Sequence, residues 1–365
     1  MTLTIRAAIA PGLNQPLTIE NVELRAPQAG EVLVQMKASG LCHTDLSVIQ
    51  GGFPVPFPSI LGHEGAGVVL ECGPGVTRVK AGDRVLLHNS AQCGTCPLCL
   101  SEHTKYCEEM DRGRKATPAF SRNGKPLITM SKGATFATHS VLSEFYLSPI
   151  PDDMPFASAC LIGCGVMTGI GAALNTAQVR KDSSVVVIGM GSIGLNAIQG
   201  ATLAGARRIV AVDTNPAKEA TARTFGATDF VNPKNIEQPL DVFIPKFLGA
   251  PADFSFECVG NTALLRQCVT MTHPFWGVCI AVGVPPHTQK FEIPASAFYV
   301  GRRVQGTFIG DGKPQREAPR IISWYQQGQV RLDELVTHRI KLDDINEGFE
   351  MMKRSEVIRS VIVYD

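Results

Sequence analysis

The chain has 365 residues, of which 44% are hydrophobic and 18% charged, with a formal net charge of +1. That length suits two domains with sizeable cores, and the balanced charge excludes a strong field for nucleic acid or an anionic membrane surface. The opening "MTLTIRAAIAPGLNQPL" has no apolar leader and no membrane span is expected, so the eleven cysteines are expected in a reducing cytosol, where clustered thiols bind metal more often than they pair.

Residues 1–150 are rich in glycine, proline and valine and predict short strands. Two motifs within them set a soft ligand beside glycine: "GLCHTDL" (40–46) carries Cys42, and "LGHEGAGVV" (61–69) carries His63. Between them "GGFPVPFPSI" is an apolar loop with Phe53, Val55 and Phe57. "CGTCPLCLSEHTKYC" (93–107) follows, with Cys93, Cys96 and Cys99 in two Cys-x-x-Cys steps and seven residues before Cys107. Such a quartet suits a tetrahedral ion with thiolate ligands. Bacterial ferredoxins place their fourth cysteine after three residues and before a proline, whereas here Glu108 follows, so zinc is favoured over an iron–sulfur cluster. Four thiolates leave no open position, so this ion is structural, the staple of a polar loop with little core of its own. "LIGCGVMTGIGAA" (161–173) adds Cys164, four residues after Cys160. Two cysteines and one histidine form a known catalytic zinc set with one open position. Cysteine is also among the most buried residue types, so spacing alone does not choose between Cys160 and Cys164.

The second half changes character. "SVVVI" predicts a buried parallel strand, and Gly189-Met190-Gly191-Ser192-Ile193-Gly194 is a GxGxxG. "LNAIQGATLAG" predicts a helix and "RIVAV" a second strand ending at Asp213, 19 residues past Gly194. In that strand–turn–helix context the glycines admit a pyrophosphate at a helix N-terminus, and the acid accepts from ribose hydroxyls, so a dinucleotide is expected. Further strand-like runs near 252–260 and 277–285 extend a doubly wound sheet over roughly 166–308.

The order of "CHTD", "GHE", the four-cysteine lobe, "GCG", "GMGSIG" and "VGVPP" resembles the zinc-containing medium-chain alcohol dehydrogenases over the whole chain. The resemblance implies an α/β chain with three segments. Residues 1–165 would be a GroES-like, mostly-β catalytic domain, 166–308 a Rossmann domain, and 309–365 a return to the catalytic domain. It implies two zinc ions per chain and NAD. Cys42, His63 and Cys164 would hold the catalytic zinc, and Cys93, Cys96, Cys99 and Cys107 the structural one. For the coenzyme it implies His43 and Arg359 at the pyrophosphate, Gly189, Gly191, Ser192, Ile193 and Gly194 along the turn, and Asp213 and Lys218 at the ribose. Thr168, Val282 and Val284 would lie near the nicotinamide.

The same resemblance assigns Asp45 to orienting His63, puts Glu64 near the metal, and has the Thr44 hydroxyl pass on the alcohol proton. Many relatives end that relay in a histidine where this chain has Ser47, which is no base near pH 7, so water is expected to complete it. Phe53 and Asn89 match pocket-lining positions. The first is acidic in glutathione-dependent formaldehyde dehydrogenases, so an aromatic or allylic primary alcohol is the leading substrate, interconverted with its aldehyde. A thiol adduct of formaldehyde is the alternative, because "GCGVMTGIGAALNTA" also occurs in those enzymes. A non-catalytic NAD-binding protein on the same fold is disfavoured by the intact ligand set. The run 290–304 matches a segment that joins coenzyme domains, implying a homodimer or a tetramer in the cytoplasm.

Overall fold

The computed structural model describes residues 2–101, 106–110, 117–286 and 288–365. They form two compact units: Met1–Cys164 with Lys313–Asp365, and Gly165–Gly312. The return to the first unit therefore begins at Lys313 and not at 309. Ile309–Asp311 is a short helical turn whose Gly310 stands against Gly171, close enough that a Cβ on Gly171 would lie 2.3 Å from the Gly310 carbonyl oxygen.

The first unit is built on two mostly antiparallel sheets. In one, Thr2–Ala10 pairs with Thr18–Arg25 over eight residues. In the other, Glu31–Gly40 is the central strand. Glu64–Cys72 lies antiparallel on one side of it, Arg359–Val363 and then His139–Ser143 along the other. This pairing decides the site. Gly40 sits opposite Glu64 in one neighbour and Val361 in the other, so residues near 41, 64 and 359 meet at one end of the sheet despite their separation in sequence. A side chain at Gly40 would place its Cβ 2.4 Å from Glu64 Oε2 and 2.8 Å from Leu161 Cδ2, so any other residue would displace the Glu64 carboxylate.

The second unit is a six-stranded parallel sheet. Its order is Asp229–Val231, Arg208–Val212, Ser184–Ile188, Phe254–Glu257, Val278–Ala281 and Arg303–Gly306. The middle strands are buried on both faces, which explains their unbroken apolar runs. Val186, Ile188, Val210 and Val212 pack with Leu265 and Val269 of the helix Thr262–Met271. Each such side chain contributes about 1.5–3 kcal/mol when fully buried.

One described helical stretch, Phe156–Thr176, is long and apolar enough to cross a membrane, contrary to the expectation that no such segment exists. Its most apolar window is 83% buried, the condition of a core helix. It includes π-helical turns at Ile162–Val166 and Ala172–Thr176. Such turns mark functional sites more often than chance, and the first carries Cys164.

Candidate metal centre and coenzyme turn

Cys42 is the N-cap of the helix His43–Ile49, in extended conformation, so its side chain leaves the helix at the first turn. His63 follows Gly62 and precedes the strand Glu64–Cys72. Gly62 has φ +89°, and a Cβ there would come within 2.7 Å of the Phe136 backbone nitrogen, so glycine sets the direction in which His63 leaves the turn. Cys164 arrives on the π-helical turn. Gly163 beside it presses on the Leu87 carbonyl, which a Cβ would approach to 1.8 Å.

Ligand atoms of Cys42, His63, Glu64 and Cys164 lie within 4.8 Å of one another, all buried. Cys160 is not among them, and its Sγ donates to the Ala157 carbonyl. Asp45, fully buried, organises the group. Its carboxylate accepts from the amides of Cys42 (3.3 Å) and Gly62 (3.0 Å) and lies 3.3 Å from His63 Nδ1. With Nδ1 engaged, His63 Nε2 has no partner, although it is buried. Glu64 Oε1 accepts from Arg359 Nη2 at 3.1 Å, while Oε2 is buried without a partner. Buried polar atoms are ordinarily satisfied. Two orphaned electron-pair donors facing two sulfurs are what a divalent cation with mixed nitrogen and sulfur ligands requires.

The electrostatics agree. A hydrogen bond between the two thiols holds Cys42 well below the ordinary thiol range and pushes Cys164 well above it. Burial opposes a charge on His63, yet Asp45 and the Cys42 sulfur outweigh it and raise its pKa well above the usual value. Burial also raises Glu64 to about 7, against the pull of the Arg359 guanidinium.

Arg359, expected at the coenzyme pyrophosphate, is held within the first unit by the metal cluster. Its guanidinium is only 3% exposed and is committed to Glu64 and, at 2.8 Å, to the Leu41 carbonyl. No local motif announces a pair 295 residues apart; only the register of Gly40 brings it together.

The four-cysteine lobe is the second cluster, with Cys93, Cys96, Cys99 and Cys107 again within 4.8 Å and buried. Backbone amides aim at the sulfurs: Cys96 N and Thr95 N at Cys93, Cys99 N at Cys96, and Cys93 N and Glu109 N at Cys107, at 3.3–3.5 Å. Against burial, those amides hold the Cys93 thiol down to about 6, while burial pushes Cys107 up. Amide donors to sulfur favour thiolates, so this set also fits a metal. Lys313 escaped the sequence reading. Its ammonium donates to the carbonyls of Cys99 (3.0 Å) and Ser101 (3.1 Å), tying the lobe to the C-terminal segment. All eleven cysteines are free of disulfides.

The remaining first-unit candidates lie near the metal-ligand motifs in sequence. His43 is exposed, Thr44 and Ser47 are half-buried on the helix His43–Ile49, and Asn89 is half-buried. Phe53, with Val55 and Phe57, packs on a core that includes Leu46, Ile49 and Phe136.

In the second unit Gly189 has φ +98°, and a Cβ on Gly194 would meet the Gly189 carbonyl at 1.9 Å. Both glycines are therefore obligatory for a turn that leads directly into the helix Ser192–Leu203. Ser192 and Ile193 open that helix, and Ser192 Oγ is buried without a partner. Asp213 bridges back to the turn by accepting from Met190 N at 2.8 Å. It also accepts from Asn215 N and, at 3.2 Å, from Lys218 Nζ, so Asp213 and Lys218 form an ion pair. Thr168 is half-buried on the helix Met167–Gly171. Past the strand Val278–Ala281, Val282 is buried and Val284 is 64% exposed. An open helix N-terminus, an orphaned hydroxyl and an acid tied to the turn fit a dinucleotide.

Residues 28–152 match the family model of the alcohol dehydrogenase GroES-like domain, and residues 192–327 that of the zinc-binding dehydrogenases. The chain is 41% identical to an alcohol dehydrogenase class-3 of Cereibacter sphaeroides, over 98% of this chain and 99% of that protein. It is 42% identical, with the same coverage, to an S-(hydroxymethyl)glutathione dehydrogenase of Paracoccus denitrificans. Among solved structures, the benzyl alcohol dehydrogenase of Acinetobacter calcoaceticus superposes with a TM-score of 0.92 at 30% identity, covering all of both chains.

Proposed function

Because the chain belongs to the zinc-containing alcohol dehydrogenase family, we propose that it oxidises the S-hydroxymethyl adduct of a thiol with formaldehyde, with NAD as hydride acceptor. The observation that carries the reaction class is the buried cluster of Cys42, His63, Glu64 and Cys164, with His63 Nε2 left unpartnered. The relatives named for the thiol adduct, at about two-fifths identity, support the substrate. The expectation of an aromatic alcohol as leading substrate yields to them, since the benzyl alcohol dehydrogenase stands at 30%. Benzyl-type alcohols stay as the second reading because Phe53, which packs on an apolar core, stands at the position that the family resemblance assigns to the substrate pocket and that is acidic in thiol-adduct enzymes.

Zinc bound by Cys42, His63 and Cys164 supplies a Lewis acid that lowers the pKa of an alcohol. The chain's own residues do the rest. Asp45 fixes the His63 tautomer so that Nε2 presents its lone pair. Arg359 holds Glu64 Oε1, which leaves Oε2 facing the cluster. The Thr44 hydroxyl takes the alcohol proton and passes it outward. Ser47 lies one helical turn on, on the same face, and its hydroxyl accepts a hydrogen bond from the water that takes that proton. Gly189, Gly191, Ser192, Ile193 and Gly194 hold the pyrophosphate, and Asp213 with Lys218 the ribose. Val282 and Val284 flank the nicotinamide with Thr168, and His43 adds a cation for the pyrophosphate. The four-cysteine lobe binds the structural zinc.

The protein is further proposed to act in the cytoplasm as a homodimer. The edge strand Arg303–Gly306 is exposed throughout, and Tyr299 (81%) and Val300 (48%) beside it are exposed apolar side chains. A second copy pairing with that edge would cover them. Sedimentation of the wild type as a monomer would end that part of the reading.

The substrate test compares formaldehyde with glutathione, formaldehyde alone, and benzyl alcohol, following NADH. Turnover that requires the thiol supports the proposal. Benzyl alcohol exceeding the thiol adduct in kcat/KM transfers it to the second reading.

A further inference from the structure

Glu257 is a carboxylate in the middle of the second unit's sheet, 1% exposed, and the reaction makes no use of it. It ends the strand Phe254–Glu257, beside Ile188 on one side and Ala281 on the other. Its Oε1 accepts from Val259 N (2.8 Å), Gly260 N (2.9 Å) and Asn261 N (3.3 Å), and Oε2 from Gly260 N (3.0 Å). Its backbone carbonyl accepts from Val282 N and Gly283 N at 2.9 and 2.8 Å. One residue thus gathers five amides from two loops at the carboxyl end of the sheet.

Those loops leave no slack. Gly260 has φ +83°, and a Cβ there would lie 2.9 Å from the Val284 carbonyl carbon. A Cβ on Gly283 would lie 2.1 Å from Gly260 N and 2.7 Å from Glu257 Oε2. On the other flank, a Cβ on Gly189 would meet a Val259 methyl at 2.7 Å. The 258–261 loop is therefore wedged between the first glycine of the coenzyme turn and the Gly283–Val284 segment, with the carboxylate as its internal anchor. Burial makes the group costly, and burial raises its pKa against the three amide bonds. An apolar residue would fill the volume more cheaply but would orphan those amides.

We infer that Glu257 is a positioning residue for the coenzyme: its carboxylate sets the 258–261 loop, and through it the spacing between the Gly189 turn and the Val282–Val284 segment. This rests on the coenzyme reading above. In Glu257→Gln the charge is lost and one acceptor oxygen becomes an NH2 group that opposes the Gly260 amide, which keeps at most its bond to the remaining oxygen, so the loop is held less firmly. Glu257→Asp keeps the charge but retracts it by one methylene.

The test titrates wild type, E257Q and E257D with NADH by fluorescence, measures steady-state kinetics, and follows amide exchange without coenzyme. In E257Q the Kd for NADH and the KM for NAD should rise about ten- to a hundredfold, the loss expected for one or two bonds to a charged group. The kcat at saturating NAD and the KM for the alcohol should stay within about twofold, on the reasoning that only coenzyme binding is affected. Exchange should quicken at 258–261, 189–191 and 282–284 and not in Arg208–Val212. E257D should fall between the two, and it decides the matter by the same readouts if E257Q is insoluble. Unchanged NADH affinity in a folded variant overturns the inference, as does exchange that quickens everywhere. A wild type that fails to bind NADH refutes the coenzyme reading itself, a separate result.

Discussion

Replacing Asp45 by Asn tests how the metal cluster is assembled, because it removes the charge and almost no volume. Asp45 is wholly buried and holds three groups: the amides of Cys42 and Gly62 and the Nδ1 of His63. Asparagine has one acceptor oxygen. If it serves Gly62 N, the closest donor, the same oxygen still faces His63 Nδ1 but without the charge, and the NH2 group opposes the Cys42 amide. Bonds to a charged acceptor are worth about 1.5–3 kcal/mol each, but local relaxation recovers part of that. The weakening in metal affinity should be about ten- to a hundredfold, or roughly 1.4–2.8 kcal/mol. The assay is competition with a graded chelator, counting zinc retained per chain, with kcat measured on fully loaded protein. One zinc should leave D45N at a lower chelator concentration than in wild type, while the zinc of the four-cysteine lobe leaves at the wild-type midpoint. Identical release of both ions with unchanged kcat would refute the positioning of His63 by Asp45.

Three further outcomes are expected. Cys99→Ser should lower Tm by roughly 5–10 °C, from the loss of several kcal/mol of metal-coupled folding; a Tm within a degree of wild type would deny the lobe its staple. Asp213→Ala should shrink a preference for NAD over NADP of at least about tenfold, since a carboxylate facing a 2′-phosphate costs on the order of 1–4 kcal/mol. Lys218, already paired with Asp213, partly offsets that repulsion, and an unchanged coenzyme ratio would show that another group selects. His88 is buried, its Nε2 lies 2.8 Å from Ser148 Oγ, and burial depresses its pKa to about 3. The unfolded chain then binds more protons between pH 3 and about 6.5, so this contribution is complete above about 6.5 and is lost as pH falls. Denaturant titrations at pH 7 and pH 5 should differ by about 2 kcal/mol from this group, and the difference should vanish in His88→Phe.

What the sequence made legible follows the range of the interactions. The GxGxxG turn is local, with Gly189 required by its positive φ and Gly194 by the Gly189 carbonyl five residues back, so pattern alone identified it. The cysteine quartet is nearly as local, and its amide-to-sulfur bonds span at most 14 residues. The choice of Cys164 over Cys160 came from family likeness and not from spacing. In the fold it depends on a π-helical turn and on Gly163 pressing against Leu87, neither of which periodicity reveals. The pairing of Arg359 with Glu64 was illegible for the same reason. It depends on which strand flanks Gly40, a fact of sheet order. The uncharged run 156–176 was overlooked as a long apolar segment because glycines and threonines interrupt it. Glu257 carried no signal, since an acid at a strand end looks like an ordinary surface residue until its burial is seen.

The most direct test of the central claim is to count zinc per chain by native mass spectrometry in wild type and His63→Ala, beside their turnover with formaldehyde, glutathione and NAD. The wild type should carry two zinc ions and turn over, and H63A should be folded with one zinc ion and no turnover. A wild type that is active with one zinc ion, or an H63A protein that keeps both ions and its activity, would contradict that claim.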